Sequence, residues 1–262
     1  PPPLFSSRRR HTRYQSLSRG LGDVYKRQIL LYLVACGWVL AANWDHVPGA
    51  VVMIFEDAFT GTSAAGGFLG AGVAQAMRWG VARGIFSNES GLGSAGIAAA
   101  AARTEQPAHQ ALVSMTQTFS DTIVVCSFTG IAIIASGAWS SGVNGVALTQ
   151  LAFDSGVPAR LGGDIIALCL TLFAFSTILG WCYYGSISAA YLFGRRIVVP
   201  YRIAFAVAAY MGTVYSLEFV WLFSDVMNGL MAVPNLIGLL LLSGVTARET
   251  RKYLESGSLT GN

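Results

Sequence analysis

Residues 78–103 read RWGVARGIFSNESGLGSAGIAAAAAR, a largely apolar run that is interrupted in its middle. The apolar stretch around it, residues 66–102, is longer than one regular membrane span, which needs about 20 residues. At the interruption, polar residues and glycines between Ser87 and Ser94 replace the apolar run. Such residues compete for backbone hydrogen bonds and lower the cost of leaving a helix. The pattern predicts a helix that breaks at membrane depth; the alternative is a loop between two short helices.

The composition of the whole chain agrees with a membrane protein. Of its 262 residues 53% are hydrophobic and only 11% are charged, and the mean hydropathy is +0.54. A soluble domain carries about 25% charged residues, so this chain has too little polar surface to coat a globule. The composition therefore excludes a soluble enzyme, an extended nucleic-acid binder and a disordered chain. We expect the lipid bilayer, and no nucleic acid, as a partner.

The basic character of the chain is confined to its start. Residues 1–28 hold seven of the 17 basic residues and one of the 13 acidic ones, which is a net charge of +6 against −2 for the remainder. A transit peptide or a nucleic-acid arm has such a composition, but SSRRRHTRYQSLSRGLGDVYKRQ resembles translated sequencing-adapter read-through. We expect a non-native, disordered leader at 1–28, a transmembrane domain at 29–247 and a cytoplasmic tail at 248–262.

The body of the chain predicts an all-α, polytopic membrane helix bundle. Its apolar segments are too long and too uniformly apolar for barrel strands, which alternate over about 10 residues. A short interfacial helix is expected after Pro48, and another near residues 146–153 in a polar, Gly-rich loop. Besides the interrupted segment, the spans are predicted at 29–44, 107–136, 162–193, 200–217 and 218–245.

The placement of basic residues predicts the orientation of these spans. If residues 29–44 run from inside to outside, only Arg160 falls in the outside loop before Gly162. Because positive residues concentrate on the cytoplasmic side, the C-terminus is predicted to be cytoplasmic. The residues that fall inside are Arg103, Arg195, Arg196, Arg202, Arg248, Arg251 and Lys252.

Charged residues within the spans are candidate functional groups, because a charge in the bilayer is costly. Glu89, inside the interruption, could hold the break open, bind a cation or pair with Arg83. Asp121 ends a polar stripe along the 107–136 span, which should face the bundle interior. Asp225 lies on a face of the last span that a gate or a helix–helix hydrogen bond would use, and Pro234 is expected to kink that span.

Two adjacent hydroxyls lie within the 162–193 span. Ser176 and Thr177 could give oxygen ligands to a hard cation, or could bond back to the helix and pack. Trp181 follows Thr177 by four residues and shares its helix face. No catalytic nucleophile with a base, metal-protease or phosphate-loop motif is present, so we expect no enzyme.

Several motifs in order resemble the sodium:alanine (alanine/glycine:cation) symporter family, within the amino-acid–polyamine–cation superfamily. They cover most of residues 29–255 and include LFAFSTILGWCYYG at 172–185. The others are GVARGIFSNESGLGSAGIAAAA at 80–101, FSDTIVVC at 119–126 and SLEFVW at 216–221.

The resemblance implies a fold of two inverted five-helix repeats whose broken helices one and six cradle the substrate. This chain would supply about helices five to ten, with residues 66–102 as broken helix six, so we expect the fragment alone not to transport. It would form part of a multi-pass protein of a prokaryotic plasma (inner) membrane.

The resemblance also implies the function and the site. The function is Na⁺-coupled symport of alanine, glycine or similar small amino acids, with Na⁺ as the coupling ion and no other cofactor. A proton-coupled permease, with Glu89 or Asp121 carrying the proton, and a non-transporting truncated fragment are the alternatives. Na⁺ would bind near Ser176 and Thr177. The substrate would bind near Ile85, Phe86, Ser87, Asn88, Thr177 and Trp181.

Overall fold

The computed structural model describes residues 27–59, 71–102, 104, 106–157 and 161–256, and within these ranges the chain is helical and has no strand. The residues of the expected leader up to 26 lie outside this description. The helices are α1 (Arg27–Ala42), α2 (Val47–Phe59), α3 (Ala71–Asn88), α4 (Ser94–Ala99), α5 (Pro107–Thr118), α6 (Ser127–Ala135), α7 (Val146–Gly156), α8 (Leu161–Phe193), α9 (Val198–Val214) and α10 (Leu217–Glu255). A π-helical segment, Phe119–Cys126, joins α5 to α6, and 3₁₀ turns occupy Trp44–His46, Ala138–Ser141 and Arg195–Ile197.

Four helical stretches of the described chain are long and apolar enough to cross a membrane. The first predicted span, at 29–44, reaches this length only as a bent pair, because Arg27–Ala42 and Trp44–Asp57 meet at 82°. The two predicted short helices are confirmed as α2 and α7. The four stretches are Pro107–Ala135, Leu161–Phe193, Arg195–Val214 and Leu217–Glu255.

The described chain divides into two compact units, and the first contains residues 27–52, 128–157 and 161–178. Its buried side chains gather around Tyr32 of α1, whose hydroxyl lies 2.5 Å from Thr129 Oγ1. The Tyr32 ring meets Phe173 edge-on at 5.7 Å between centroids. Asp154 accepts a 2.7 Å hydrogen bond from the Gly163 backbone N–H and so caps the first turn of α8.

The second unit contains the described residues between 53 and 127 and those from 179 to 256. In it α3 packs on the π-helical segment, and α5 packs on both α4 and α10. The missing side chain of Gly185 in α8 leaves room for the ring of Tyr201 in α9, because a Cβ at Gly185 would overlap the Tyr201 hydroxyl.

The last helix is longer than the span predicted at 218–245. α10 runs from Leu217 to Glu255 as one helix with Pro234 inside it, and it extends past residue 248, where the tail was expected to begin. The expected kink at Pro234 stays a prediction. The apolar side chains of α10 are widely exposed, with Leu240 at 75% and Leu241 at 80%. A water-soluble chain does not present such a surface, whereas a lipid-facing helix does.

Candidate substrate site at the broken helix

The predicted interruption of the helix is confirmed, and its position at membrane depth stays a prediction. α3 ends at Asn88 and α4 begins at Ser94, and the residues between them leave the helical conformation. Glu89 has φ of 54°, and Gly91 and Gly93 have φ of 79° and 89°. The two glycines adopt these angles without strain, whereas Glu89 is the single non-glycine residue of the described chain with a positive φ.

The last turn of α3 is tied to the π-helical segment. Ser87 Oγ donates to Asp121 Oδ2 at 2.6 Å, and Asn88 Nδ2 donates to Thr122 Oγ1 at 3.0 Å. Two successive residues of α3 thus meet two successive residues of the neighbouring segment. Short π-helical segments occur frequently at functional sites, and this one presents Asp121 to the break.

One hydrogen bond connects the break to α10, and another connects its two sides. Asn235 Nδ2 donates to the Gly91 carbonyl oxygen at 2.9 Å. A Cβ at Gly93 would lie 3.0 Å from Asn235 Oδ1, so glycine is needed there for space as well as for φ. Ser94 Oγ donates to Glu89 Oε2 at 2.5 Å, so this carboxylate connects the two sides of the break.

Arg83 does not pair with Glu89, which corrects one of the three roles expected for that carboxylate. Arg83 Nη2 instead donates to Asp225 Oδ1 of α10. Its guanidinium carbon lies 4.1 Å from the Trp221 ring centroid, 5.5 Å from that of Trp79 and 5.4 Å from that of Phe86. The charge is therefore held by an ion pair and three aromatic faces, which attract a cation through their quadrupoles.

Two donors of Arg83 remain unused. Its Nε and Nη1 atoms are buried and have no hydrogen-bond partner in the described chain. A buried donor without a partner costs free energy. The hydrogen-bonding capacity of the Arg83 guanidinium is therefore not fully used by the described residues around it. Phe86, an expected substrate residue, meets Trp221 edge-on at 5.1 Å and belongs to the same cluster.

A cavity of about 230 Å³ lies beside the break in the second unit. Its walls come from the break, from α4, from one face of α5 and from α10. Part of the predicted polar stripe faces it, including Ser114 and Gln117. Its other lining side chains include Asn88, Glu89, Thr118, Asn235 and Leu239.

Of the two adjacent hydroxyls of α8, only that of Ser176 forms a hydrogen bond within the helix. Ser176 Oγ donates to the Leu172 carbonyl oxygen at 2.8 Å, as the packing alternative predicts. Thr177 is exposed and forms no side-chain hydrogen bond with the described residues. The ring of Trp181 packs edge-on against Tyr184 at 6.1 Å. Thr177 belongs to the first unit and Trp181 to the second, along one continuous helix.

Comparisons with known proteins identify the family of this chain. The sequence profile of the sodium:alanine symporter family matches residues 27–260. The chain belongs to this family. It is 46% identical over 227 residues to an uncharacterized transporter of Haemophilus influenzae, which is 86% of this chain and 50% of that protein. It is 44% identical over 245 residues to the sodium/alanine symporter AgcS of Methanococcus maripaludis, which is 92% of this chain and 53% of AgcS.

A third relative is named for a different substrate. The probable sodium/glutamine symporter GlnT of Bacillus subtilis is 37% identical over 226 residues, 86% of this chain and 46% of GlnT. The chain spans about half the length of the curated relatives it matches. The sodium:alanine symporter family consists of transporters and not enzymes, and the apolar helices make the chain part of a multi-pass membrane protein.

Some residues of the site are missing from the sequence-based prediction. Trp79 and Trp221 enclose Arg83, and Asn235 holds the break. The signal for the first two is spacing: Trp79 and Arg83 are four residues apart, as are Trp221 and Asp225, so each pair shares a helix face. Asn235 was noted in the sequence only because, with Pro234, it marks the expected kink, and not as a partner of the break.

Proposed function

We propose that the protein to which this chain belongs imports small amino acids such as alanine or glycine together with Na⁺. The observation that carries the proposal is the break between α3 and α4, with three positive φ angles. Discontinuous helices expose backbone groups that bind the charged ends of a substrate and coordinate cations. Membership of the sodium:alanine symporter family supports the same function.

The substrate would bind at the end of α3, near Ile85, Phe86, Ser87 and Asn88. Ile85 and Phe86 are each 38% exposed, so both apolar side chains can contact a ligand. Thr177 and Trp181 of α8 would complete the site, and the bulk of Trp181 would favour small side chains. The free hydroxyl of Thr177 is available as a donor to a carboxylate.

Na⁺ would bind near Ser176 and Thr177. Ser176 uses its proton on the Leu172 carbonyl oxygen, and this leaves lone pairs of its own oxygen for a cation. Hydroxyl and carbonyl oxygens are suitable ligands for a hard cation and add no charge to the membrane interior. Na⁺ binding would complete the substrate pocket.

Four charged residues would shape the transport cycle. The Arg83–Asp225 pair joins α3 to α10 beside Phe86 and would act as a gate that opens and closes with substrate. Glu89 and Asp121 would hold the break in its shape through Ser94 and Ser87. Rocking of the helices around the bound substrate would then expose it to the other side.

The proposal also includes the domain boundaries and the orientation of the protein in the membrane. The transporter domain would occupy residues 29–247 and the tail residues 248–262. The protein would lie in a prokaryotic plasma (inner) membrane with its C-terminus in the cytoplasm, because basic residues concentrate on that side.

Uptake into proteoliposomes tests the proposed function. The full-length protein from the gene that encodes this chain would be reconstituted, and labelled alanine uptake measured under an inward Na⁺ gradient or a K⁺ gradient. We expect uptake with Na⁺ alone, and about a tenfold higher half-saturating Na⁺ concentration in Thr177→Ala, which corresponds to ~1.4 kcal/mol. Thr171→Ala is the matched control, since that hydroxyl also lies on α8 but bonds to the Ala167 carbonyl oxygen.

Other outcomes would contradict the proposal. Uptake that ignores Na⁺ and follows a pH gradient would favour a proton-coupled permease, with Glu89 or Asp121 as the proton carrier. No uptake by the well-folded full-length protein would contradict the proposed symport. Equal Na⁺ dependence in the Thr177 and Thr171 variants would remove Thr177 from the ion site.

A further inference from the structure

We propose that the turn between α8 and α9 binds the phosphate headgroup of an anionic phospholipid. The turn consists of Gly194 and the 3₁₀ turn Arg195–Ile197, and it joins two helices that are each long and apolar enough to cross a membrane. Because two consecutive spans meet there, the turn lies at a surface of the bilayer. This lipid site does not involve the transported substrate, so it can fail while the proposed function stands.

The first argument is the charge of the hairpin itself. Arg195 and Arg196 lie in the turn. Arg202 lies four residues after Val198, where α9 begins, which is about 6 Å along the helix. These three arginines are the only charged residues of the sequence between 165 and 217. Basic residues clustered at the end of a membrane span attract anionic lipid headgroups.

The second argument is how Arg202 is held. Its Nε donates to Ser186 Oγ of α8 at 3.4 Å. Ser186 is 3% exposed and donates its own proton to the Cys182 carbonyl oxygen at 2.6 Å, so its oxygen serves Arg202 as an acceptor. The bond uses one of the five N–H donors of the guanidinium and does not involve the two Nη groups. The guanidinium is a planar fork that can bind a phosphate through two parallel hydrogen bonds.

The third argument is the geometry of the turn. Gly194 has φ of 80°, a conformation that favours glycine, and the chain passes from α8 to α9 within four residues. The ring of Tyr201 occupies the space that Gly185 leaves, directly beside the bond between Ser186 and Arg202. The three positive charges are therefore concentrated on one short, fixed segment.

The fourth argument is the level of the turn in the bilayer. Tyr191 and Tyr201 flank the turn, and tyrosine is enriched at the level of the headgroups. Arginine side chains near the ends of spans extend towards the same level. A lipid phosphate is concentrated there, whereas a soluble phosphate is not. The basic residues predict that this surface is the cytoplasmic one, whose leaflet carries anionic lipids.

Lipid binding to the solubilised full-length protein tests the site independently of transport. Native mass spectrometry would compare phosphatidylglycerol, which is anionic, with phosphatidylcholine, which has no net charge, both with the same acyl chains. In the wild type we expect phosphatidylglycerol to bind about tenfold more tightly or better. In Arg196→Gln/Arg202→Gln we expect its affinity to fall about tenfold or more, because two charged contacts are lost. Arg248→Gln/Arg251→Gln is the matched control, since it removes the same charge from the end of α10.

A second variant keeps all three charges and removes only the acceptor of Arg202. In Ser186→Ala we expect the affinity for phosphatidylglycerol to fall about threefold, because one hydrogen bond that orients the guanidinium is lost. Ser188→Ala is the matched control and should leave the affinity unchanged. Ser188 Oγ also bonds within α8, to the Tyr184 carbonyl oxygen at 3.0 Å, and its one described hydrogen bond does not involve an arginine.

Several results would overturn the lipid site. Equal affinities of the two double variants for phosphatidylglycerol, or of Ser186→Ala and Ser188→Ala, would reduce the binding to a general attraction by charge. Displacement of phosphatidylglycerol by an equal concentration of inorganic phosphate would make the ligand a soluble anion.

One further result would assign the arginines to another partner. If Arg196→Gln/Arg202→Gln lowers the melting temperature and leaves phosphatidylglycerol binding unchanged, these arginines pair with carboxylates elsewhere in the full-length protein. Wild-type protein that takes up alanine with Na⁺ and shows any of these results would refute the lipid site and leave the proposed function intact.

Discussion

Two charged side chains near the break are stabilised in opposite ways. Arg83 is enclosed by an ion pair with Asp225 and by three aromatic rings, of which Trp221 is the nearest. Glu89 has a serine hydroxyl and an open cavity. The guanidinium therefore contributes to how α3 and α10 are joined, and the carboxylate contributes to how the two sides of the break are joined.

Replacing Arg83 by lysine tests the contribution of the aromatic faces. Arg83→Lys keeps the positive charge but loses the flat surface that lies 4.1 Å from the Trp221 centroid. We expect a loss of about 1–2 kcal/mol in the free energy of unfolding, because cation–π and stacking contacts differ between the two side chains. The change would be measured as a lower melting temperature in detergent.

Arg248→Lys is the control for this substitution. Arg248 lies near the exposed end of α10, at 65% side-chain exposure, and its neighbour Glu249 is 3.6 Å away. Exposed ion pairs contribute little, so no measurable change is expected there. Equal melting temperatures for the Arg83 and Arg248 variants would show that the rings do not stabilise the arginine.

The sequence identified Arg83, Asp225 and Glu89 as candidate functional residues, but it did not indicate which of them form an ion pair. Spacing along one helix tells which residues share a face, and it does not tell which helix that face meets. Glu89 was the nearest acid to Arg83 in sequence, whereas the pair that forms is separated by 142 positions. The missing information lies in the packing of α3 against α10.

At the scale of the elements, the break was predicted from glycines and polar residues, and its geometry was not. The sequence indicates that Gly91 and Gly93 can adopt positive φ, but it does not indicate that Glu89 does so. The π-helical segment Phe119–Cys126 was also absent from the prediction. A polar stripe has the same appearance on an α-helix and on one with a local widening, so spacing alone does not distinguish them.

Two glycine substitutions compare the effect of an added Cβ on stability in the break and in the helix α4 that follows it. Gly93→Ala adds a Cβ at φ 89° and 3.0 Å from Asn235 Oδ1. We expect it to lower the free energy of unfolding by about 1–2 kcal/mol, because the conformation disfavours any side chain. Gly96→Ala is expected to be neutral or stabilising by about 0.5–1 kcal/mol, since that glycine is helical with open space around it.

Both changes would be measured by denaturant or thermal unfolding in the same detergent. Destabilisation of equal size at the two positions would mean that the positive φ of Gly93 does not matter. Stabilisation by Gly93→Ala would contradict the description of the break.

At the scale of the whole molecule, composition predicted a membrane protein, and the length of its apolar segments predicted helices. The exposed apolar side chains of α9 and α10 agree with that prediction, as do the four long apolar stretches. The first span was harder to predict, because its sequence does not reveal the 82° bend between Arg27–Ala42 and Trp44–Asp57. Such a bend depends on what the two helices pack against.

The orientation is tested by the accessibility of introduced cysteines. In a background without the four native cysteines, Ser141→Cys should react with a membrane-impermeant maleimide in intact cells. Glu255→Cys should react only after the cells are permeabilised, because basic residues near the end of α10 favour the cytoplasmic side. Both positions are exposed, so reactivity reports the side of the membrane. Reaction of Glu255→Cys in intact cells would reverse the predicted topology.

The close approach of Gly185 to the Tyr201 hydroxyl has a consequence for biosynthesis. The turn between these two helices is short, with a glycine at φ 80° and one 3₁₀ turn, so the second helix can fold back on the first as it leaves the translocon. Such a hairpin buries its contact before the rest of the protein has been translated. A methyl group at position 185 would then interfere with the folding of the nascent chain. It would reduce the yield of inserted protein more than the activity of the molecules that mature.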